Sequence, residues 1–233
     1  MINLYTWETF YEQFIIEKGY LLTLTGLQNT VIIAVLGLII GFILGAILAI
    51  VNLAPEQNPL IKIVHYLTNA YITVLRGTPI LVQLLLCHCA VFPALGINVS
   101  YVIEAVIVYG LNSSAYMAEA IRGGINSVDR GQMEAGRALG FSFIQTMVKV
   151  ILPQAIRNII PTLGNEFIAL IKETSVANLI AVTDLTRSFT AIAESTYDYF
   201  IPYLALALVY LILVMIITML IKLFERRMNY NAR

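Results

Sequence analysis

The chain has 233 residues, of which 59% are hydrophobic and only 12% are charged. A soluble domain carries roughly 25% charged residues, so most of this surface is expected to face lipid, which excludes an ordinary water-soluble fold. Fourteen basic and fourteen acidic residues give a net charge of zero, which offers no electrostatic support for nucleic-acid binding. The two cysteines, Cys87 and Cys89, are separated by one residue and exclude a disulfide framework.

Five segments of the sequence are predicted to cross the membrane. A helix needs about 20 apolar residues to span roughly 30 Å of hydrocarbon. The predicted spans are residues 31–51, 77–103, 105–118, 161–182 and 199–221. The fourth carries Glu166, Lys172 and Glu173, so a re-entrant or interfacial segment is the alternative there. The sequence therefore predicts an all-α, polytopic transmembrane bundle.

The basic residues predict the orientation of this bundle, because cytoplasmic loops are enriched in lysine and arginine. Residues 122–157 contain five basic residues, and the tail from residue 222 onward contains four. The loop 93–101 has none, and the loop 183–198 has only Arg187. Five spans then place the N-terminus outside and the C-terminus in the cytoplasm, and the acidic start of the chain agrees with this.

Three glycines at four-residue spacing, Gly37, Gly41 and Gly45, lie on one face of the first predicted span. Small residues at this spacing let a second membrane helix approach closely. They predict a contact between two helices, either within one chain or between two chains. The alternative is the general enrichment of glycine in membrane helices.

The long basic loop between the third and fourth predicted spans is expected to fold into two short helices. Residues 134–139 favour helix, and Gly140 can end that helix in a left-handed conformation. Ser142 can cap a second helix over residues 143–152, and Pro153 marks the next boundary. We call these two helices and the turn between them the knob. Because it holds no histidine, cysteine or paired carboxylates, the knob suits docking to a partner better than catalysis.

This loop resembles the EAA loop of permease subunits of ATP-binding-cassette (ABC) importers. The matching residues are Glu134, Ala135, Gly140, Leu152 and Pro153. Gly136 stands where a third small residue is usual. The resemblance implies one type I importer transmembrane domain over residues 1–233. In that family the loop, here about residues 123–160, seats its short helix in a groove of the ATPase subunit and transmits its closure.

The same resemblance implies partners and a location. Such a permease is not an enzyme and carries no catalytic residue, metal or cofactor, because ATP and Mg²⁺ are bound by two copies of a cytoplasmic ATP-binding subunit. A second permease chain, identical or similar, completes the pathway, and an extracytoplasmic binding protein delivers the amino acid. The expected location is the bacterial cytoplasmic membrane, as a multi-pass protein in the lipid bilayer.

Further segments resemble the polar amino-acid branch of the family, which includes histidine, glutamate, glutamine, arginine and opine transporters. These segments are residues 75–79, 112–119, 164–168 and 172–175. Together with the loop, the resemblance extends over roughly residues 20–225. The run Cys87-His88-Cys89 departs from the usual aromatic or aliphatic residues, which does not put the family in doubt.

Arg76 is the first candidate for contact with a substrate. It precedes Gly77, Thr78 and Pro79, and this combination of glycine and proline interrupts helices. A broken helix frees backbone groups at membrane depth, which is how transporters often build their sites. We expect Arg76 and the backbone around Thr78 to hold a substrate α-carboxylate, which a planar guanidinium matches. Alternatively, Arg76 lies at the cytoplasmic interface or pairs with a membrane carboxylate.

Glu166 is the second candidate, with Asn165 beside it. An ionisable residue at membrane depth is costly and usually marks a pathway or pairs with another charge. Glu166 is predicted to pair with a cationic group of the substrate, which favours arginine, lysine, histidine or ornithine over glutamate. An internal ion pair between Glu166 and Arg76 is the alternative. Asn112 and Ser113 are expected either to line the site or to form interhelical hydrogen bonds.

Two other groups of residues are given structural roles. The Cys87-His88-Cys89 run is not expected to bind a metal, because consecutive residues on a helix point about 100° apart. Glu119 and Arg122 are three residues apart and are predicted to form an ion pair on one helix face.

Three other functions fit the sequence less well. A membrane enzyme lacks support, because the sequence has no H-E-x-x-H helix, G-x-S-x-G elbow or Walker loop. Channels and secondary transporters usually work as self-contained chains, often with internal repeats, and no repeat is found here. A purely structural scaffold would not need a docking loop.

Overall fold

The computed structural model describes residues 4–53 and 58–230, and this part of the chain is helical without any strand. The α-helices are α1 (Leu4–Tyr11), α2 (Gly19–Leu53), α3 (Pro59–Gly77), α4 (Ile80–Leu86), α5 (Phe92–Ala94), α6 (Tyr101–Asn126), α7 (Arg130–Ala138), α8 (Phe143–Thr146), α9 (Leu152–Glu173), α10 (Leu185–Thr196) and α11 (Phe200–Tyr230). π-helical turns follow α1, α4 and α8 (Glu12–Ile16, Cys87–Val91, Met147–Ile151), and a 3₁₀-helix follows α9 (Thr174–Ile180). The all-α prediction is confirmed.

Two of the described helices are long and apolar enough to cross a membrane, Gly19–Leu53 and Phe200–Arg227. A third span arises if α3 and the helix Ile80–Ala94, which are bent by 107° relative to each other, are counted together. The stretch 77–103, predicted as one span, is therefore not a single helix. α6 and α9 have 26 and 22 residues, long enough to cross, but both carry charged residues.

The core of the bundle is the contact between α2 and α6. Gly37, Gly41 and Gly45 are buried on α2 and face α6. A Cβ atom at Gly41 would lie 2.6 Å from the Ser113 Cβ, and one at Gly45 would lie 2.8 Å from the Ser114 carbonyl oxygen. The predicted helix contact is confirmed, and it is formed within one chain.

The break between α3 and α4 falls where the sequence predicts it. α3 begins at a cap, in which the Asn58 side chain accepts from the Leu60 N–H, and it ends at Gly77. Thr78 and Pro79 both adopt extended conformations. A residue before proline is pushed out of the helical region, so the chain turns here before α4 begins.

The predicted two-helix knob forms through α7 and α8. Gly140 ends the first helix with a φ of +85°, and Ser142 starts the second with a capping box completed by Gln145. The expected boundary at Pro153 is wrong, because the backbone stays helical from α8 into α9. Pro153 lies in the first turn of α9, directly after the π-helical turn Met147–Ile151, where a missing N–H interrupts least.

Two further differences concern the last third of the chain. α9 begins before the predicted fourth span and continues through Pro161. The loop 183–198 contains a helix, α10, whose first turn is capped by Asp184 accepting from the Arg187 N–H at 2.8 Å. Tyr109, fully buried on α6, donates to the Glu173 carbonyl oxygen at 2.6 Å and ties α6 to the end of α9.

Candidate functional site

A polar network holds the break between α3 and α4 against the middle of α6. The Gln83 amide nitrogen lies 2.8 Å from the Leu75 carbonyl oxygen, 3.0 Å from the Thr78 carbonyl oxygen and 2.8 Å from the Thr78 hydroxyl. Asn112 donates to the Gln83 side-chain oxygen at 3.0 Å and to the Leu75 carbonyl at 3.3 Å. These bonds satisfy carbonyls that the end of a helix leaves without partners. The network therefore stabilises the bend between α3 and α4, which packs against α6 about halfway along that helix.

Glu166 contacts α6 through Ser113, the residue after Asn112, on a neighbouring face of the helix. The Ser113 hydroxyl donates to a Glu166 carboxylate oxygen at 3.1 Å. Ser113 is fully buried, whereas Glu166 is partly exposed and its neighbour Asn165 is exposed. The hydrogen bond leaves part of the Glu166 carboxylate open to a ligand.

Arg76 pairs with a carboxylate, and that carboxylate belongs to Glu119. The Arg76 guanidinium nitrogen lies 3.5 Å from the Glu119 carboxylate, and the guanidinium lies 5.4 Å from the centre of the Tyr116 ring. Glu119 also binds Arg122 through two bonds of 2.6 Å and 3.1 Å. The predicted Glu119–Arg122 pair is confirmed, but it is one half of a triad that includes Arg76.

The structure contains no ion pair between Arg76 and Glu166, although both residues are described. Each has a different partner, and neither is fully covered by it. The Arg76 side chain is 43% exposed. The internal pair considered as an alternative for these two residues is therefore absent from this arrangement, and both groups remain accessible.

The residues proposed from the sequence divide into two groups. Arg76, Gly77, Thr78 and Pro79 are exposed at the bend, and Glu166 is partly exposed. Asn112 and Ser113 are buried, so here they join helices and do not line a surface. These contacts favour the interhelical alternative for the two α6 residues.

Several contributing residues were missed in the sequence. Gln83 is the one polar side chain in α4, and that isolation in an apolar helix was the available signal. Tyr116 lies three residues before Glu119 on α6 and so shares its face. Tyr71 on α3 bonds to the Ser114 hydroxyl at 2.8 Å and to the Leu111 carbonyl at 3.0 Å. Nothing in the local sequence distinguishes these tyrosines from other aromatic residues of membrane helices.

The residues of the EAA-like loop form a partly apolar surface between α6 and α9 in the chain. Glu134, Ala135 and Pro153 are exposed, and Leu152 lines an apolar groove beside α8. Gly136 is buried against Thr146, which packs α7 on α8. Leu139 and Ile144 are 78% and 71% exposed. Large apolar side chains on a rigid, otherwise polar knob are typical of a contact surface for another protein.

His88 forms a side-chain contact with the carboxylate of Glu104. Its Nδ1 atom lies 2.6 Å from a Glu104 carboxylate oxygen, and Glu104 is buried at the start of α6. The His88 ring also contacts Tyr101 edge-on at 5.4 Å. This pair ties the π-helical turn after α4 to α6.

The fold and the site together define a class of protein. A helix of a membrane bundle that breaks beside polar and charged groups is typical of a transport pathway. The family described as "Binding-protein-dependent transport system inner membrane component" matches residues 41–230. The chain belongs to this family.

Similar proteins narrow the class to amino-acid transport. The chain is 40% identical over 218 residues to the "Putative glutamine transport system permease protein GlnP" of Rickettsia typhi, with 94% of each chain covered. It is 38% identical over 208 residues to the "Arginine transport system permease protein ArtQ" of Bacillus subtilis, with 89% of this chain and 93% of that one covered. A crystal structure of an amino acid ABC transporter with histidines has 40% identity and a TM-score of 0.83 over 91% of this chain and 96% of that chain.

The chain is thus a permease subunit of an amino-acid ABC transporter, with the type I permease fold. It is a membrane protein and not itself an enzyme. Membership of the family implies an ATP-binding subunit and a binding protein as partners in general.

Proposed function

We propose that the chain works as a dimer that moves a polar, preferably cationic, amino acid through a pathway lined by Arg76 and Glu166. The observation that carries this proposal is the half-exposed Arg76 beside a helix break that packs against the middle of α6. The guanidinium suits the substrate α-carboxylate. The partly open Glu166 carboxylate suits its α-amino group or a basic side chain.

Uptake into proteoliposomes tests this substrate class. The permease is reconstituted with the ATPase and binding protein of the same transporter and offered labelled arginine, lysine, histidine, glutamine, glutamate and cystine. We expect Arg76→Ala to weaken uptake of every transported amino acid, since all carry the carboxylate. We expect Glu166→Gln to lose the preference for cationic substrates and to keep the neutral ones. Unchanged affinity in Arg76→Ala, or an unchanged preference in Glu166→Gln, refutes the corresponding role.

The topology that goes with this function has five spans, an external N-terminus and a cytoplasmic C-terminus. In this topology the third and fourth spans are α6 and α9, and Glu119 and Glu166 on these helices have polar partners, Arg122 and Ser113. Cysteine labelling in a variant lacking Cys87 and Cys89 tests this. Cysteine at Ser195 is expected to react with an impermeant maleimide from outside, and cysteine at Gln145 only from inside. The reverse pattern contradicts the orientation.

The knob formed by α7 and α8 is proposed to receive the closing motion of the ATPase. Its exposed apolar residues and the rigid turn at Gly140 support this role. Glu134→Lys is expected to leave ATP hydrolysis measurable while uptake falls, because the charge reversal disturbs the docking surface. Glu194→Lys, on α10 outside the knob, is the matched control. If the ratio of uptake to ATP hydrolysis is the same in the two variants, the loop does not have the proposed docking role.

A further inference from the structure

Arg76, Glu119 and Arg122 form a triad in which one carboxylate contacts two guanidinium groups. A substrate carboxylate could therefore compete with Glu119 for the Arg76 guanidinium. We propose that Glu119 is a displaceable internal ligand of Arg76, which occupies the guanidinium until a substrate carboxylate replaces it. This inference rests on the proposed function, in which Arg76 binds the substrate. It adds Glu119 as a residue that positions Arg76 and lowers its affinity for substrate.

The two contacts of Glu119 are unequal. The contact with Arg76 is a single approach of 3.5 Å, whereas Arg122 is bound by two hydrogen bonds of 2.6 Å and 3.1 Å. Charge-assisted bonds normally measure about 2.7–2.9 Å, so the Arg76 contact is the loose one. Both side chains are partly exposed, at 43% for Arg76 and 26% for Glu119. The looser of the two contacts is therefore the one that a ligand can break from solution.

Releasing Arg76 leaves no charge without a partner. Glu119 keeps both bonds to Arg122, so its carboxylate remains neutralised. Arg76 gains the substrate carboxylate in exchange. An unpaired charge would oppose the exchange, and the triad avoids that penalty because it has two guanidinium groups for one carboxylate.

Tyr116 keeps Arg76 in place during this exchange. Its ring supports the guanidinium at 5.4 Å, a cation–π distance that does not use the hydrogen-bonding edge. Tyr116 and Glu119 lie three residues apart on α6 and share one face. The edge of the guanidinium thus stays free to exchange one carboxylate for another, and Glu166, the other nearby carboxylate, is bound to Ser113.

Opposite effects are expected from replacing Glu119, the partner of Arg76, and from replacing Arg122, the second partner of Glu119. Glu119→Gln removes the competing charge, so a substrate carboxylate should bind more tightly. Arg122→Gln removes the second partner of Glu119, so Glu119 should hold Arg76 more firmly and substrate should bind more weakly. A merely structural ion pair would move the affinity in the same direction in both variants.

Equilibrium binding of radiolabelled L-arginine and L-glutamine to the purified permease–ATPase complex in nanodiscs, without the binding protein, tests these expectations. Exposed ion pairs contribute an amount that corresponds to about a two- to five-fold change in affinity. We expect Glu119→Gln to lower the Kd by this factor and Arg122→Gln to raise it. For L-argininamide, which lacks the carboxylate, neither variant should change the Kd, and equal changes for the amide and the amino acid refute a competition between carboxylates.

The outcomes separate this inference from the proposed function. If Arg76→Ala weakens binding of the amino acid but Glu119→Gln does not tighten it, the competition is refuted and the substrate site stands. If Arg76→Ala binds as the wild type does, the substrate site is refuted and the competition with it. Absence of saturable binding of both amino acids to the wild-type complex likewise overturns both.

Discussion

Replacing Gly45 by alanine tests the contact between α2 and α6 on which the bundle is built. A Cβ atom there would overlap the Met117 Cβ and lie 2.8 Å from the Ser114 carbonyl oxygen and 2.9 Å from the Ala118 nitrogen. None of these atoms ends a flexible side chain, so the helices must move apart. Overpacking lowers the free energy of unfolding by about 1–3 kcal/mol. The higher helix propensity of alanine relative to glycine offsets at most about 1 kcal/mol of this loss. We expect a net loss of about 1–2 kcal/mol.

Thermal unfolding of the purified permease–ATPase complex in detergent measures this loss. For a chain of this size, 1 kcal/mol corresponds to a change in Tm of about 2–4 °C, so Gly45→Ala is expected to melt about 2–8 °C below the wild type. Gly123→Ala is the matched control, because it lies on α6 with nothing within 4 Å of the added atom. A Gly45→Ala variant that melts with the control, at or above the wild type, refutes the argument.

Three other predictions concern single features of the fold. Gln83→Leu removes the hydrogen bonds from Gln83 to the Leu75 and Thr78 carbonyls and the one from Asn112, which keeps its bond to the Leu75 carbonyl. Each lost hydrogen bond contributes about 0.5–1.5 kcal/mol, so the Tm should fall, and an unchanged Tm would mean that the network does not hold the bend. His88→Ala leaves the buried Glu104 without its partner and should lower the Tm, and adding Glu104→Gln should restore part of the loss, since a neutral amide is cheaper to bury. If the double variant is less stable than His88→Ala alone, the loss of the His88–Glu104 pair is not the cause of the lower Tm. Gly140→Ala strains a residue at a φ of +85° by about 1–2 kcal/mol, and Gly140→Asn should be tolerated better, as comparison of the two Tm values will reveal.

The elements that the sequence predicted well depend on local chemistry. The cap at Ser142, the left-handed Gly140 and the break at Pro79 each follow from residues within one short segment, and no distant contact is needed. The glycines of α2 were readable for a related reason, because their four-residue spacing lies on one face of any helix. The boundary predicted at Pro153 was wrong, because the proline fits the first turn of α9 and the π-helical turn before it keeps the backbone helical.

In the candidate site, too, some features could be predicted from the sequence and others could not. The presence of Arg76 and Glu166 in apolar surroundings marked them as unusual without any structure. Their partners could not be read, because pairing joins helices far apart in the chain: Arg76 with Glu119, and Glu166 with Ser113. The cost of an ionisable group in lipid makes it conspicuous in sequence, but its neutralisation depends on which helix packs beside it.

By itself, the sequence determined that this protein is a helical membrane bundle, that the chain breaks at Pro79 and that two short helices meet at Gly140. These features follow from hydrophobicity and backbone preference, which are properties of short segments. Only the tertiary structure decided that the glycine face of α2 meets α6 within the chain, and that Gln83 closes the bend. It also decided that one carboxylate, Glu119, is shared by two arginines. Such choices are made by packing between distant segments, where a few ångströms select one partner over another of the same chemistry.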